Sequence, residues 1–297
     1  MRPRAPGAVF AALCFIWGST WLAIKIGLEF LPPFLFAGIR FATATLCLLI
    51  VTRLLHAHVP KDRSSWMIMV FLGIFQIGLP YGLVFWAEQY VSSGLAAVLF
   101  ATMPFFVVLF AHFLVDEKLT RLKVIGMGAS FLGLVLIFWR DMVVTQGLIG
   151  NTLLYGGLAV IGSAVSGALA SVVGKQHAER IDPAANVLVQ SLIGTVALTS
   201  IGLVTQESNV FNLTLVSVLA VLYLGIVGSA LAFVGMYWLL TKTTATNVSL
   251  VTFITPILAL ILGWAVLKEV PDPNVGGGAV LILVGIYLTI KPVGRYF

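Results

Sequence analysis

The sequence predicts an all-α integral membrane protein: ten transmembrane helices, arranged as two inverted-topology five-helix repeats around a central cavity. Three observations predict it. Sixty per cent of the 297 residues are hydrophobic and only 9% are charged, against about 25% charged in ordinary soluble domains. Ten apolar stretches each approach the roughly 20 residues that a bilayer crossing needs. The chain also aligns on itself, residues 71–139 on 223–291, at a constant shift of 152.

A mean hydropathy of +1.08 leaves too little polar surface for a soluble enzyme, a nucleic-acid binder or a disordered chain. The net charge of +6 does not reverse this, because the basic residues form no long run. Cys14 and Cys47 lie in apolar stretches and offer neither a disulfide framework nor metal-ligand spacing. No cofactor is expected.

The spans are expected near 7–24, 33–54, 66–86, 92–114, 123–139, 151–173, 184–204, 215–240, 245–267 and 276–291. Continuous apolar runs without alternation favour helices over a barrel. Arg2 and Arg4 before the first run resemble a signal peptide. Its full-span length, with Trp17 and Trp21, favours a retained helix. With the N-terminus in the cytoplasm, thirteen Lys and Arg fall inside. Three fall outside, Lys25, Arg140 and Lys268, while Arg40 stays within the second span. The positive-inside rule thus places both termini in the cytoplasm.

The repeat retains the punctuation of the chain. Pro104, Glu117, Gly126 and Gly133 fall on Pro256, Glu269, Gly278 and Gly285, and a shift of 150 places Lys25 and Pro33 on Lys175 and Pro183. Five spans per half is an odd number, so the second half enters the membrane inverted. The expected units are 1–142 and 143–297. Inverted repeats enclosing a mid-membrane site are a frequent plan of secondary transporters.

Helix periodicity selects candidate cavity residues. Gly78, Tyr81, Gly82 and Phe85 share a face of the third span. The repeat maps Tyr81 to Phe233 and Phe85 to Tyr237, two ring pairs suited to stacking on an apolar or cationic solute. The alternative is packing, with Gly78 and Gly82 as a GxxxG contact. Trp17, Ser19, Thr20 and Trp21 form a polar and aromatic group in the first span; Ser163 and Ser166 are polar residues of the sixth. Serine hydroxyls can also return to their own helix carbonyls. Trp86 and Trp238, nearer span ends, read as interface anchors. Pro104 and Pro256 break the fourth and ninth spans beside Phe100, Met103, Thr252 and Thr255, as kinks or hinges.

Charged candidates are few. Arg40 either pairs structurally, with Glu29 for example, or attracts an acidic substrate group. Glu88 and His112 are possible proton carriers, each with a bland reading as a hydrated or packed residue at a span end. Glu117 and Glu269 read as pairing or capping residues. No carboxylate sits in the middle of a span, which favours weak coupling or facilitated export.

Ser93-Gly94-Leu95-Ala96-Ala97 with Pro104, Glu117, Gly126 and Gly133 resembles the EamA repeat of the drug/metabolite transporter superfamily. Pro256, Glu269, Gly278 and Gly285 repeat the pattern. Trp17-Gly18-Ser19-Thr20-Trp21 and Pro33 before Arg40-Phe41 also resemble that family. The second half departs where Ala168 to Ser171 replaces the Trp-Gly-Ser-Thr run. The resemblance implies ten helices, a central cavity and alternating access. A narrower resemblance, to YddG-type exporters, implies aromatic amino acids and cationic drugs as substrates.

The expected function is therefore export of small amphiphilic metabolites, amino acids above all, across a bacterial inner membrane. The expected partners are the lipid bilayer and a small-molecule substrate, with no nucleic acid; a monomer is plausible. An anionic sugar-phosphate or nucleotide-sugar exchanger is the runner-up, but it would want several cations near the midplane. An intramembrane enzyme lacks its signatures, with no GxSxG, HExxH or paired intramembrane aspartates. A channel or scaffold would lack saturable turnover.

Overall fold

A computed structural model describes residues 5–54, 56–91, 96, 99–145, 150–205, 211–267 and 274–290, with no strand among them. Its helices are α1 (Ala5–Leu28), α2 (Pro33–Leu54), α3 (Arg63–Ala87), α4 (Met103–Leu114), α5 (Arg121–Thr145), α6 (Gly150–Gln176), α7 (Pro183–Val204), α8 (Leu215–Leu240), α9 (Ala245–Ser249 continuing as Val251–Leu267) and α10 (Asn274–Ile290). Six helices of the described residues are long and apolar enough to cross a membrane, within α1, α2, α3, α6, α7 and α8. Helix α5 runs through the expected unit boundary at 142–143. The Ser93-Gly94-Leu95 and Ala97 positions, Lys268 and Glu269 lie outside the described residues.

Local chemistry sets the helix starts. Asp62 caps α3 by accepting from the Ser65 N–H at 2.9 Å, and Asp182 caps α7 by accepting from Ala184 N–H at 2.8 Å. Pro183 follows at the first helical position, where its missing N–H costs nothing. Thr214 and Ser217 cap α8 reciprocally. Asp62 also meets Arg180 at 2.7 Å, which places the α2–α3 and α6–α7 connections at the same end of the bundle. The Ser65 N–H first, and Arg180 after it, hold the Asp62 carboxyl below its ordinary range.

Two long helices carry π turns at matching places, Gly73–Gly78 in α3 and Tyr223–Leu231 in α8. Neither holds a proline; each widens the helix by one residue and loosens its carbonyls from the regular ladder. Those carbonyls accept from elsewhere: Phe75 O from Ser166 Oγ at 2.8 Å and Gly228 O from Trp17 Nε1 at 3.2 Å.

Close packing follows the glycines. A Cβ on Gly126 would stand 2.5 Å from Gly285 O, and one on Gly133 would stand 2.5 Å from Gly278 O. Helices α5 and α10 therefore run antiparallel at backbone contact. Gly73 lies against Ile193, and Gly225 against Thr43. Both sets of contacts are reciprocal under the sequence shifts of 152 and 150.

The prolines act differently from expectation. Pro104 stands in the first turn of α4, after a turn at Ala101–Thr102, so it starts a helix instead of kinking one. Pro256 lies inside α9, whose break falls earlier, at Leu250. Pro256 cannot donate to the carbonyl four residues back, and that carbonyl, Thr252 O, accepts from Thr255 Oγ1 at 3.3 Å.

Candidate functional site

Between α1, α2, α3, α4, α6, α8 and α9 lies a cavity of about 120 Å³. Its wall is chiefly apolar, with the rings of Trp17, Trp21, Tyr81, Phe100 and Phe233. The rings touch edge to face: Trp17 and Phe233 at 5.6 Å between centroids, Tyr81 and Phe233 at 6.4 Å, Trp21 and Phe100 at 6.4 Å. Such contacts hold each ring at a defined angle.

Polar groups interrupt this wall at few points. Thr20, Gln76, Ser163, Ser171, Ser249, Thr252 and Thr255 line it; among the described residues Arg40 is its only cation and no lining residue is acidic. Most hydroxyls are already committed to carbonyls. Ser163 Oγ donates to Pro80 O at 3.1 Å, a bond to another helix and not to its own. Thr20 Oγ1 donates to Trp17 O at 2.8 Å, and Thr252 Oγ1 to Ser249 O at 2.8 Å.

Arg40 is 1% exposed. Its Nε donates to Ser229 Oγ at 2.8 Å and its Nη2 to Gly228 O at 3.3 Å, both in the π turn of α8. These partners, and not Glu29, take the structural role that is one of the two readings of Arg40. The guanidinium carbon stands 4.8 Å from the Tyr81 ring centre and 5.4 Å from that of Phe41, within cation–π range.

Of the sequence candidates, Trp17, Thr20, Arg40, Tyr81, Phe100, Met103, Ser163, Phe233, Thr252 and Thr255 meet at this cavity. Others do not. Ser19 turns to Tyr223, its Oγ 2.5 Å from the phenol oxygen. Gly78 and Gly82 face Ala197 and Leu198 of α7, the packing alternative. Phe85 is buried against Phe36 at 5.7 Å, and Tyr237 donates to Gln190 Oε1 at 3.2 Å. Glu88 is half-buried beyond the cavity, one helical turn past Val84. His112 is exposed beside Glu117 O. The sequence reading missed Gln76, Ser171, Gly167 and Met236. Gln76 carried a usable signal, an amide in the middle of an apolar span.

Glu117 fastens one wall. It accepts from Ala245 N–H at 2.7 Å and from Thr246 Oγ1 at 2.6 Å, and it stands 3.6 Å from Lys123. The carboxylate thus caps α9, whose first turns carry the cavity residues Ala245, Val248 and Ser249.

The EamA-like transporter family matches two stretches, residues 6–139 and 154–291. The chain is 31% identical over 281 residues to the uncharacterized transporter YoaV of Bacillus subtilis, covering 93% of this chain and 94% of that one. It is 30% identical over 258 residues to the uncharacterized inner membrane transporter YedA of Escherichia coli K12, covering 86% and 81%. Protein PagO of Salmonella typhimurium is 25% identical over 290 residues, covering 98% and 94%. One crystal structure shares the fold with a TM-score of 0.79 at 19% identity, over 96% of this chain and 97% of that one.

Proposed function

The chain belongs to the EamA-like transporter family, and from that premise we propose that it exports small amphiphilic metabolites by alternating access. The substrates are amino acids with aromatic or apolar side chains and related amphiphiles. The aromatic cavity carries this reading. It draws its walls from both family-matched stretches, Tyr81 from the first and Phe233 from the second. A site shared by two halves changes exposure when one half rocks against the other.

The reciprocal contacts support two inverted repeats. In Gly126 on Gly285 and Gly133 on Gly278, each residue's repeat equivalent sits in the other contact, as a twofold relation between the halves requires. Ten crossings, with both termini in the cytoplasm of a bacterial inner membrane, complete the proposal. A sugar-phosphate or nucleotide-sugar exchanger fits less well, because one guanidinium is the only cation in the wall among the described residues.

Uptake of radiolabelled phenylalanine into liposomes holding the pure protein tests the reading. Saturable flux above protein-free liposomes is expected. Absence of saturable flux for phenylalanine and every other amino acid contradicts it.

A further inference from the structure

Within the proposed transport function, on which this inference rests, we infer that the cavity selects solutes carrying a carboxylate, and that Arg40 Nη1 is the group that binds it. Two of the three guanidinium nitrogens are taken, Nε by Ser229 and Nη2 by Gly228 O. Nη1 is buried and has no hydrogen-bond partner. A buried, charged donor left open is costly unless a ligand completes it. The Nε and Nη2 bonds hold the guanidinium plane fixed, so the open donor is already oriented.

The surroundings specify the sign and shape of the ligand. Arg40 borders the cavity and, among the described residues, is the only charged side chain lining it. A solute with a net positive charge meets one cation and no counter-ion there. Among the described residues, the fields of the Tyr81 phenol and then of Glu88 reach Arg40, and Glu88 is the acid of the two. Its Oε1 also lacks a hydrogen-bond partner, so Glu88 Oε1 does not occupy Nη1. Tyr81 covers the guanidinium at 4.8 Å and also lines the cavity. Turning that ring is the step that admits a carboxylate to Nη1, and the solute's apolar body then rests among Trp17, Tyr81 and Phe233.

The test uses the full chain in lipid nanodiscs, titrated with 3-phenylpropanoate, its neutral isostere 3-phenylpropanamide and the cation phenethylamine. The wild-type protein is expected to bind the carboxylate about 10- to 100-fold more tightly than the amide, the range for a hydrogen bond to a charged group. Phenethylamine is expected to bind more weakly still. Arg40→Gln is expected to bring carboxylate and amide within about threefold. The wild-type comparison decides the matter if that variant fails to fold.

Equal or tighter binding of the amide or the amine overturns the inference. Saturable liposomal flux of those same solutes would leave the transport reading standing. No saturable binding or flux of any of the three overturns both.

Discussion

Arg40 in α2 donates through Nε to Ser229 Oγ in the π turn of α8, across 2.8 Å and 189 residues of chain. The bond ties the two family-matched stretches together beside the cavity. Ser130 makes a bond of similar reach but without charge, Oγ to Ile282 O at 3.1 Å. Ser229→Ala should therefore cost about 1.5–3 kcal/mol, as for bonds to charged groups. Ser130→Ala should cost about 0.6 kcal/mol, the average for a neutral bond between membrane helices. Thermal unfolding of both variants in the same detergent checks the order; equal losses would contradict it.

Backbone contact between α5 and α10 leaves no room at Gly126, where a Cβ would press on Gly285 O at 2.5 Å and Thr289 N at 2.9 Å. Gly128, two residues on, has nothing within 4 Å of its Cβ position. Gly126→Ala should destabilise by about 1–3 kcal/mol, the cost of overpacking. Gly128→Ala should be neutral or stabilise by up to about 1 kcal/mol through helix propensity. The same unfolding measurement separates them.

The ring pairs divide cleanly between cavity and packing. Tyr81 and its repeat equivalent Phe233 both line the cavity, whereas Phe85 and its equivalent Tyr237 both pack between helices. Tyr81→Ala or Phe233→Ala should lower phenylalanine flux about tenfold, corresponding to about 1.4 kcal/mol of lost contact. Tyr237→Phe should leave flux within about twofold of wild type and lower the unfolding temperature, because only the bond to Gln190 is lost.

Glu117 holds the first turn of α9 through Ala245 and Thr246. Glu117→Ala frees two donors and loosens the wall that carries Ser249. In a chain cleared of Cys14 and Cys47, a Ser249→Cys thiol should react with a maleimide several-fold faster when Glu117 is alanine. An unchanged rate would show that the carboxylate does not hold this wall in place.

Much of the fold was legible because span length and apolarity are properties of the local sequence. The starts at Pro33 and Pro183 fell where the proline rule puts them. The π turns were not legible, since Gly73–Gly78 and Tyr223–Leu231 contain no proline or other local marker. The cavity was legible in part. Periodicity finds a face of a helix but not what that face meets. The arc of Gly78, Tyr81, Gly82 and Phe85 split, with Tyr81 turned to the cavity and the others to α2 and α7. Arg40 was visible as an intramembrane cation, but its partners lie 188 and 189 residues away and no local pattern announces them.

Counterflow tests the central claim most directly, that two halves expose one aromatic cavity to each side in turn. Liposomes containing the protein are loaded with unlabelled phenylalanine and diluted into a trace of labelled phenylalanine. A carrier with one alternating site returns labelled solute in exchange for the outgoing pool, so the label should rise transiently above its equilibrium level and then fall. A smooth approach to equilibrium without overshoot, alongside flux that does not saturate, would contradict the account and describe an open pore.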